Sequence, residues 1–587
     1  MTFARLLAVM LLLAIAVSAQ SNPVPFIKTP LVPDAVAPGG PSFTLTVNGT
    51  GFVPGSVVQW NGTALATTFV SGSQLTATVP DAYTGQGGSP AVTVRNPAPG
   101  GGKSNFQYLS VRSATTAISF GQSAPFGLEQ NVILSGTADF NGDGKLDLAF
   151  INSQQYTSSI EIALGNGDGT FQAFIDTDLT LYDPGQLTIG DFNRDGVPDM
   201  AVMDGSTTVV LLGHRDGTFD TVQPSALKSY FGIYGITNGD FNQDGKLDLA
   251  VGSYDAEQNP RIAILLGDGG GQFAAPQYFP VAGDLVLNVV AGDFNQDGHL
   301  DLAVASGNST LVTGALDVLL GNGDGTFVSG ASYDTDNYFL ATICADFDGD
   351  GILDVAARTY IEQNSEQLFF FHGNGDGTFS RYPDTSLLGS SYVGLAVGDM
   401  NGDGLLDLVT ATSYVTKYGL HVNDQLVVLY GRGAGTFDAR YFATSQMFGL
   451  AGGDFNGDGK LDIAAWGYRS HNGPTELYLL EQSSLVTSSS FVVFGEVENG
   501  TKVTKDISVT NFGGEAVDIR RIHITQGYGY TQTNDCETSL PAGAHCTIHL
   551  TFAPEQNGLY NGAIININSS ATLGHQEIGM RGAGVMK

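Results

Sequence analysis

Basic residues are scarce in this chain of 587 residues: 24 Lys and Arg stand against 58 Asp and Glu, a formal net charge of −34. Such a surface repels phosphate backbones and anionic lipid headgroups, so neither nucleic acid nor an anionic membrane is an expected partner. Beyond the N-terminus no run is long and apolar enough for a transmembrane helix. The nine histidines are scattered, with no His-Glu-x-x-His pair, and neither a Gly-x-Ser-x-Gly elbow nor a phosphate-binding loop occurs. The three cysteines are few enough to treat singly. Cys344 sits in an apolar run and reads as a small core residue. Cys536 and Cys546 lie close together, and in an exported chain they are expected to form a disulfide, two reduced thiols being the alternative. Of the two tryptophans, Trp60 and Trp466, packing roles are expected, with an exposed sugar-stacking platform as the alternative.

Glycine, by contrast, is abundant, at 79 residues, which suits short strands joined by tight turns. The length calls for several cores. The N-terminus reads as an export signal over residues 1–19. Arg5 gives a positive start, Leu6 to Ala16 is apolar but too short to span a bilayer, and Val17-Ser18-Ala19 offers a small-residue cleavage site after Ala19. The expected location is secreted, extracellular or cell-surface, with the periplasm as an alternative.

One nine-residue phrase recurs seven times at intervals of 49 to 55 residues, starting at Asp139, Asp191, Asp240, Asp293, Asp346, Asp399 and Asp454. A fixed period of this size marks a repeat architecture. Around each phrase an apolar run leads in, two strand-like segments follow, and a Gly-Asn-Gly-Asp-Gly-Thr-Phe-type turn opens a last strand. Four strands in about fifty residues is the arithmetic of a propeller blade. The seventh unit lacks the Gly-Thr-Phe turn, and Ile118 to Phe126 resembles the turn and outer strand Gly271 to Phe279. The N-terminal end of the array is therefore expected to complete the last unit and close a ring of seven blades.

In the phrase, positions 1, 3, 5 and 9 offer side-chain oxygen in every copy, position 6 is always glycine, and position 7 varies freely. Free variation at position 7 fits a ligand supplied by the backbone carbonyl. The candidate metal ligands are accordingly Asp139, Asn141, Asp143, Lys145 and Asp147; Asp191, Asn193, Asp195, Val197 and Asp199; Asp240, Asn242, Asp244, Lys246 and Asp248; Asp293, Asn295, Asp297, His299 and Asp301; Asp346, Asp348, Asp350, Ile352 and Asp354; Asp399, Asn401, Asp403, Leu405 and Asp407; and Asp454, Asn456, Asp458, Lys460 and Asp462. Hard oxygen ligands on a flexible loop favour Ca2+ over Mg2+, and zinc or copper would want His or Cys, which the side-chain ligand positions lack. Two carboxylates about 4 Å apart repel by about 4 kcal/mol at an effective dielectric of about 20, so an empty loop is unfavourable. Seven divalent cations would bring the net charge to about −20. The alternative is a set of acidic turns that need no ion. Position 12 carries no Glu, so these are not EF-hands. The side chain of His299 is expected in solvent. The second turn, Asn166-Gly167-Asp168-Gly169, has one carboxylate and reads as a hairpin connection.

The phrase, the Leu-Asp-Leu-Ala strand after it and the Gly-Asn-Gly-Asp-Gly-Thr-Phe turn resemble the FG-GAP/VCBS repeats that build the propeller of integrin α subunits. The resemblance spans residues 114–482 and implies calcium loops on one propeller face, with ligands often on other surfaces. Met400 for Phe and Pro198 for Leu are its departures, neither at a ligand position. Residues 20–113 alternate as strands, and Val47 to Phe52, Val58 to Gly62 and Val94 to Pro97 resemble IPT/TIG domains, which implies a spacer or interaction module. In residues 483–587, Val509 to Gly513, Cys546 to Pro554 and Gly582 to Gly584 resemble immunoglobulin-like domains of the ASPM–SPD-2–Hydin (choice-of-anchor D) type. The expected whole is all-β: a seven-bladed propeller flanked by two Ig-like sandwiches, secreted, calcium-binding and non-catalytic, serving adhesion or binding of an extracellular protein or glycan. The alternative is a secreted lyase or hydrolase acting on polysaccharide or phosphodiester.

Overall fold

The computed structural model describes residues 21–112, 118–123, 131–153, 158–177, 179–182, 184–205, 207–226, 235–255, 257, 259–283, 285–308, 313–337, 339–359, 365–382, 385–388, 394–415, 421–433, 435–443, 446–468, 475–513, 515–525, 527–572 and 575–586. The expected export signal and its cleavage site, the boundary at 113/114 and residues 124–126 of the expected closing strand lie outside them.

The described chain is all-β, with one short 3-10 turn at Asp81–Tyr83 and no α-helix. Among the described residues seven sheets share one antiparallel order, first strand to fourth. In the first sheet the strands are Asn131–Ala138, Asp147–Ser153, Ser158–Ala163 and Ile175–Asp176. Each nine-residue loop joins a first strand to a second, and its position 9 is the first residue of that second strand. The seventh sheet takes three strands from Gln446–Gly453, Asp462–Tyr468 and Thr475–Ser483. Its fourth is Ser119–Gln122, paired from Ser119↔Ser483 to Gln122↔Leu480. The expected completion of the last unit by the start of the array is thus present as a four-residue ladder.

Second strands are buried almost throughout, as in Asp301–Asn308, because both faces of each sheet are covered by neighbours. An aromatic contact repeats between neighbours. The position-2 Phe of each loop packs on the turn Phe of the following sheet: Phe140 on Phe219 at 5.7 Å, Phe192 on Phe273 at 5.9 Å, Phe241 on Phe327 at 5.6 Å, Phe294 on Phe379 at 5.4 Å and Phe347 on Phe437 at 6.0 Å. Phe455 of the seventh loop meets Phe171 of the first sheet in the same way, at 5.7 Å. In the sixth loop Met400 stands in place of Phe, and it shares a core cluster with Phe120, which pairs with Gln482 where the other sheets pair their turn Phe. The Met400 carbonyl accepts from Gln482 Nε2 at 3.0 Å.

Before the array, Phe26–Ile27, Phe43–Thr50, Gln74–Val79 and Ala66–Ser71 form one sheet, and Val57–Trp60 and Ala91–Asn96 lie at the centre of another. Leu45, Val47, Val58, Trp60, Val92 and Val94 fill the core shared by these two sheets. After the array, Val503–Asn511 and His545–Phe552 pair in one sheet, while Gly558–Ser569 and His575–Val585 pair in another, over a core that includes Ile507, Ile548, Ile565 and Ile578. Cys536 and Cys546 form a disulfide. Trp60 and Trp466 are both buried, as packing residues should be. Cys344 is partly buried, and its Sγ lies 3.5 Å from the Ala291 carbonyl oxygen.

Candidate metal centres

Each loop is closed by its own carboxylates. The N–H of position 6 donates to Oδ2 of position 1 in all seven copies, at 2.9 to 3.2 Å, from Gly144 to Asp139 through Gly459 to Asp454. The N–H of position 5 donates to Oδ1 of position 3, and that of position 7 to Oδ1 of position 5, again in every copy. The position-6 glycines hold φ between 82° and 89°, the left-handed region that glycine adopts without penalty. The loop backbone is thus wrapped around the side-chain oxygens of positions 1, 3 and 5. In the fifth loop Asp346, Asp348 and Asp350 each present an oxygen within 4.8 Å of the others.

Position 9 has a further task. All seven of these aspartates are at most 2% exposed. Oδ2 accepts the N–H of position 2, and Oδ1 accepts an N–H at the end of the third strand: Gly165, Gly213, Gly267, Gly321, Gly373, Gly431 and, in the seventh copy, Gln482. These carboxylates fasten the loop to the neighbouring strand, and an oxygen that accepts a single N–H keeps a second lone pair for a cation. Burial pushes their pKa up, with the other loop carboxylates adding to the rise, to about 7 for Asp147 and about 8 for Asp248 and Asp407. Burial raises position 1 as well, to about 7 for Asp240 and about 6 for Asp454.

The donor set fits a hard cation. Oδ1 of Asp191 and of Asp293 are buried acceptors with no hydrogen-bond partner, both at position 1 and both within their loops. Such an oxygen costs free energy unless a cation or water meets it.

Position 4 carried no expectation, yet it takes positive φ in every copy. It is glycine in four loops and Arg194, Gln243 and Gln296 in the others, at 66°, 55° and 59°. Each of these side chains reaches outward: Arg194 to the Gly100 carbonyl at 2.8 Å, Gln243 to that of Gly298 at 2.9 Å and Gln296 to that of Gly351 at 3.5 Å. His299 is half-buried rather than solvated, because its Nδ1 meets the Gln243 amide at 2.9 Å. The second turn is an internally bonded hairpin connection: Asn166 N–H donates to the Thr170 carbonyl, and Asp168 accepts both the N–H and the hydroxyl of Thr170.

The N-terminal unit lies over these loops and touches several of their position-1 residues. Val24 N–H donates to Asp240 Oδ2 at 2.7 Å, and Thr50 Oγ1 to Asp293 Oδ2 at 3.3 Å. Asp346 N–H donates to the Thr29 carbonyl at 3.0 Å. Arg112 donates to the Met400 and Asp399 carbonyls and lies 3.4 Å from Asp399 Oδ1, with both side chains 2% exposed. Asp34 beside this pair is raised to about 7, by burial and then by Asp399. The glycine of position 6 also makes room for this unit: a Cβ on Gly459 would stand 2.3 Å from the Val111 carbonyl oxygen, and one on Gly245 2.5 Å from that of Asn22.

Comparison with known proteins finds two family models that match parts of the chain. The FG-GAP-like repeat matches residues 139–202, 191–251, 240–304 and 346–410, taking in six of the seven loops, and the IPT/TIG domain matches residues 28–108. No curated protein matches the chain. Among solved structures, an Agrocybe aegerita lectin described as recognising non-reducing terminal N-acetylglucosamine is 17% identical, with 60% of this chain and 88% of that one covered at a TM-score of 0.35. An auxiliary nutrient binding protein from Bacteroides ovatus is 10% identical, covering 79% and 100% at 0.32. A putative phosphatase from Bacteroides thetaiotaomicron is 13% identical, covering 78% and 97% at 0.30.

Proposed function

We propose that the chain is a secreted, calcium-dependent binding scaffold without catalytic activity. The seven sheets are the blades of a closed propeller over residues 114–482. Residues 20–113 and 483–587 are flanking sandwiches, the latter of the choice-of-anchor D type, and residues 1–19 are a cleaved export signal. The observation that carries this reading is the same carboxylate-closed loop in all seven copies, with Asp191 Oδ1 and Asp293 Oδ1 buried and unpartnered. Positions 1, 3, 5 and 9 would hold Ca2+ by side chain and position 7 by its carbonyl, and the ion would supply the positive charge that these crowded carboxylates lack. Meanwhile the position-9 aspartates pin each loop to its third strand, and the glycines shape the turn. The partner is an extracellular protein or glycan. Because the N-terminal unit covers much of the loop face, that partner meets other surfaces.

Thermal unfolding of the full chain in millimolar Ca2+ and in EDTA, with elemental analysis of bound metal, tests the reading. Binding confined to the folded state must raise the midpoint. An unchanged midpoint with no bound metal would reduce the loops to acidic turns.

A further inference from the structure

The fifth loop departs from the repeat at three places, and all three meet at one point. Position 3 is Asp348, where the other six loops have Asn. The residue just before the donor to position 9 is His372, where the first four sheets have Leu164, Leu212, Leu266 and Leu320. From beyond the third strand, Tyr382 donates its hydroxyl to Asp348 Oδ2 at 2.9 Å and lays its ring 5.2 Å from that of His372. His372 Nδ1 lies 3.2 Å from Asp348 Oδ2 and 3.2 Å from Asp354 Oδ1, while Nε2 is 3.9 Å from Asp350 Oδ2.

We propose that the fifth loop is a transition-metal site of the zinc class, with His372 Nδ1 as its nitrogen ligand and Asp348 and Asp354 as oxygen ligands, while the other six loops take calcium. The proposal rests on the reading of the loops as cation sites. Imidazole is a poor ligand for calcium and a good one for zinc and its neighbours. Tetrahedral bonds of about 2.0–2.1 Å set ligand atoms about 3.3 Å apart, close to both spacings about Nδ1. The other ring nitrogen faces Asp350 and the Tyr382 hydroxyl steadies Asp348, the kind of outer partners that orient metal ligands. A zinc-class site was invisible in the phrase because its nitrogen comes from another strand, eighteen residues beyond Asp354.

The test equilibrates the full chain with Zn2+ in excess Ca2+, removes free metal by desalting, and counts both metals per chain, for wild type and for His372→Leu. Leucine fills this position in four sister sheets, so the variant should fold. One zinc per wild-type chain is expected, lost in His372→Leu with the calcium count kept, and Tyr382→Phe should weaken zinc binding by about tenfold. X-ray absorption at the zinc edge of the wild type should show one imidazole nitrogen among oxygens. Zinc absent from the wild type, or retained in full by His372→Leu, would overturn the proposal. Should calcium be present in that case, the loop reading survives without it; should both metals be absent, the loop reading fails as well.

Discussion

The two flanking units are attached to the array by opposite means. The N-terminal unit meets the loop face through groups that address acidic side chains: Val24 N–H on Asp240, Thr50 on Asp293 and Arg112 against Asp399. The C-terminal unit continues a sheet. The strand Ser119–Gln122, already paired with Thr475–Ser483, also bridges Gln122 to His575. Around that bridge Gln576 Nε2 donates to Ser119 Oγ at 2.9 Å and to the Leu485 carbonyl, and Ser490 donates to the Tyr441 carbonyl. One junction thus depends on charge, and would depend on any cation the loops hold. The other is built of backbone and neutral amides, and depends on neither.

Chelation should separate the two most clearly. With EDTA, amide hydrogen exchange across 22–112 and the seven loops should accelerate by an order of magnitude or more, while strands 545–552 and 575–585 keep their protection. Equal loosening of both units would erase the contrast. Next in size is Arg112→Ala. It leaves Asp399 buried without its counter-charge, a loss of about 3–5 kcal/mol. Exchange or proteolysis should report that loss in the N-terminal unit and the sixth loop, with the C-terminal unit unchanged.

Proton concentration acts through the same carboxylates. A carboxyl whose folded pKa lies above its unfolded value adds stability that is complete below the unfolded value and is lost as pH rises through the folded one. Asp34 and Asp240 at about 7, Asp248 and Asp407 at about 8 and Asp454 at about 6 set the window. The metal-free unfolding midpoint should therefore fall as pH rises from 6 to 8. Saturating Ca2+ should abolish that fall, because it binds the ionised form. Smallest is Ser490→Ala, which removes one hydrogen bond at the C-terminal junction and should cost about 0.5–1.5 kcal/mol by denaturant titration, with no dependence on calcium.

The repeat and its strand order were legible in the sequence because they are periodic: seven copies of Asp-x-(Asn/Asp)-x-Asp-Gly-x-x-Asp announce both the loop and its place before a second strand. The missing Gly-Thr-Phe turn likewise announced that Ser119–Gln122 would pair with the last unit. What escaped is what only packing creates. Position 4 varies as Gly, Arg and Gln, and nothing in that variation reveals a shared positive φ. The position-9 aspartates looked like ligands alone, since the N–H that meets Oδ1 of each lies 14 to 24 residues further along the chain. The placement of the N-terminal unit over the loops has no local signature, since Val24 and Thr50 act through ordinary backbone and hydroxyl groups.

The ladder between Ser119–Gln122 and Leu480–Ser483 also decides how the molecule would carry force. Ser119 pairs with Ser483, so the chain enters and leaves the array at the same end of a four-residue ladder. Tension applied between the two flanking units would open that ladder one pair at a time, as a zipper, rather than load all its hydrogen bonds together in shear. The N-terminal unit, held on the loop face, takes that pull before the seam does. Cation occupancy in the loops would then set the load at which the ladder begins to part.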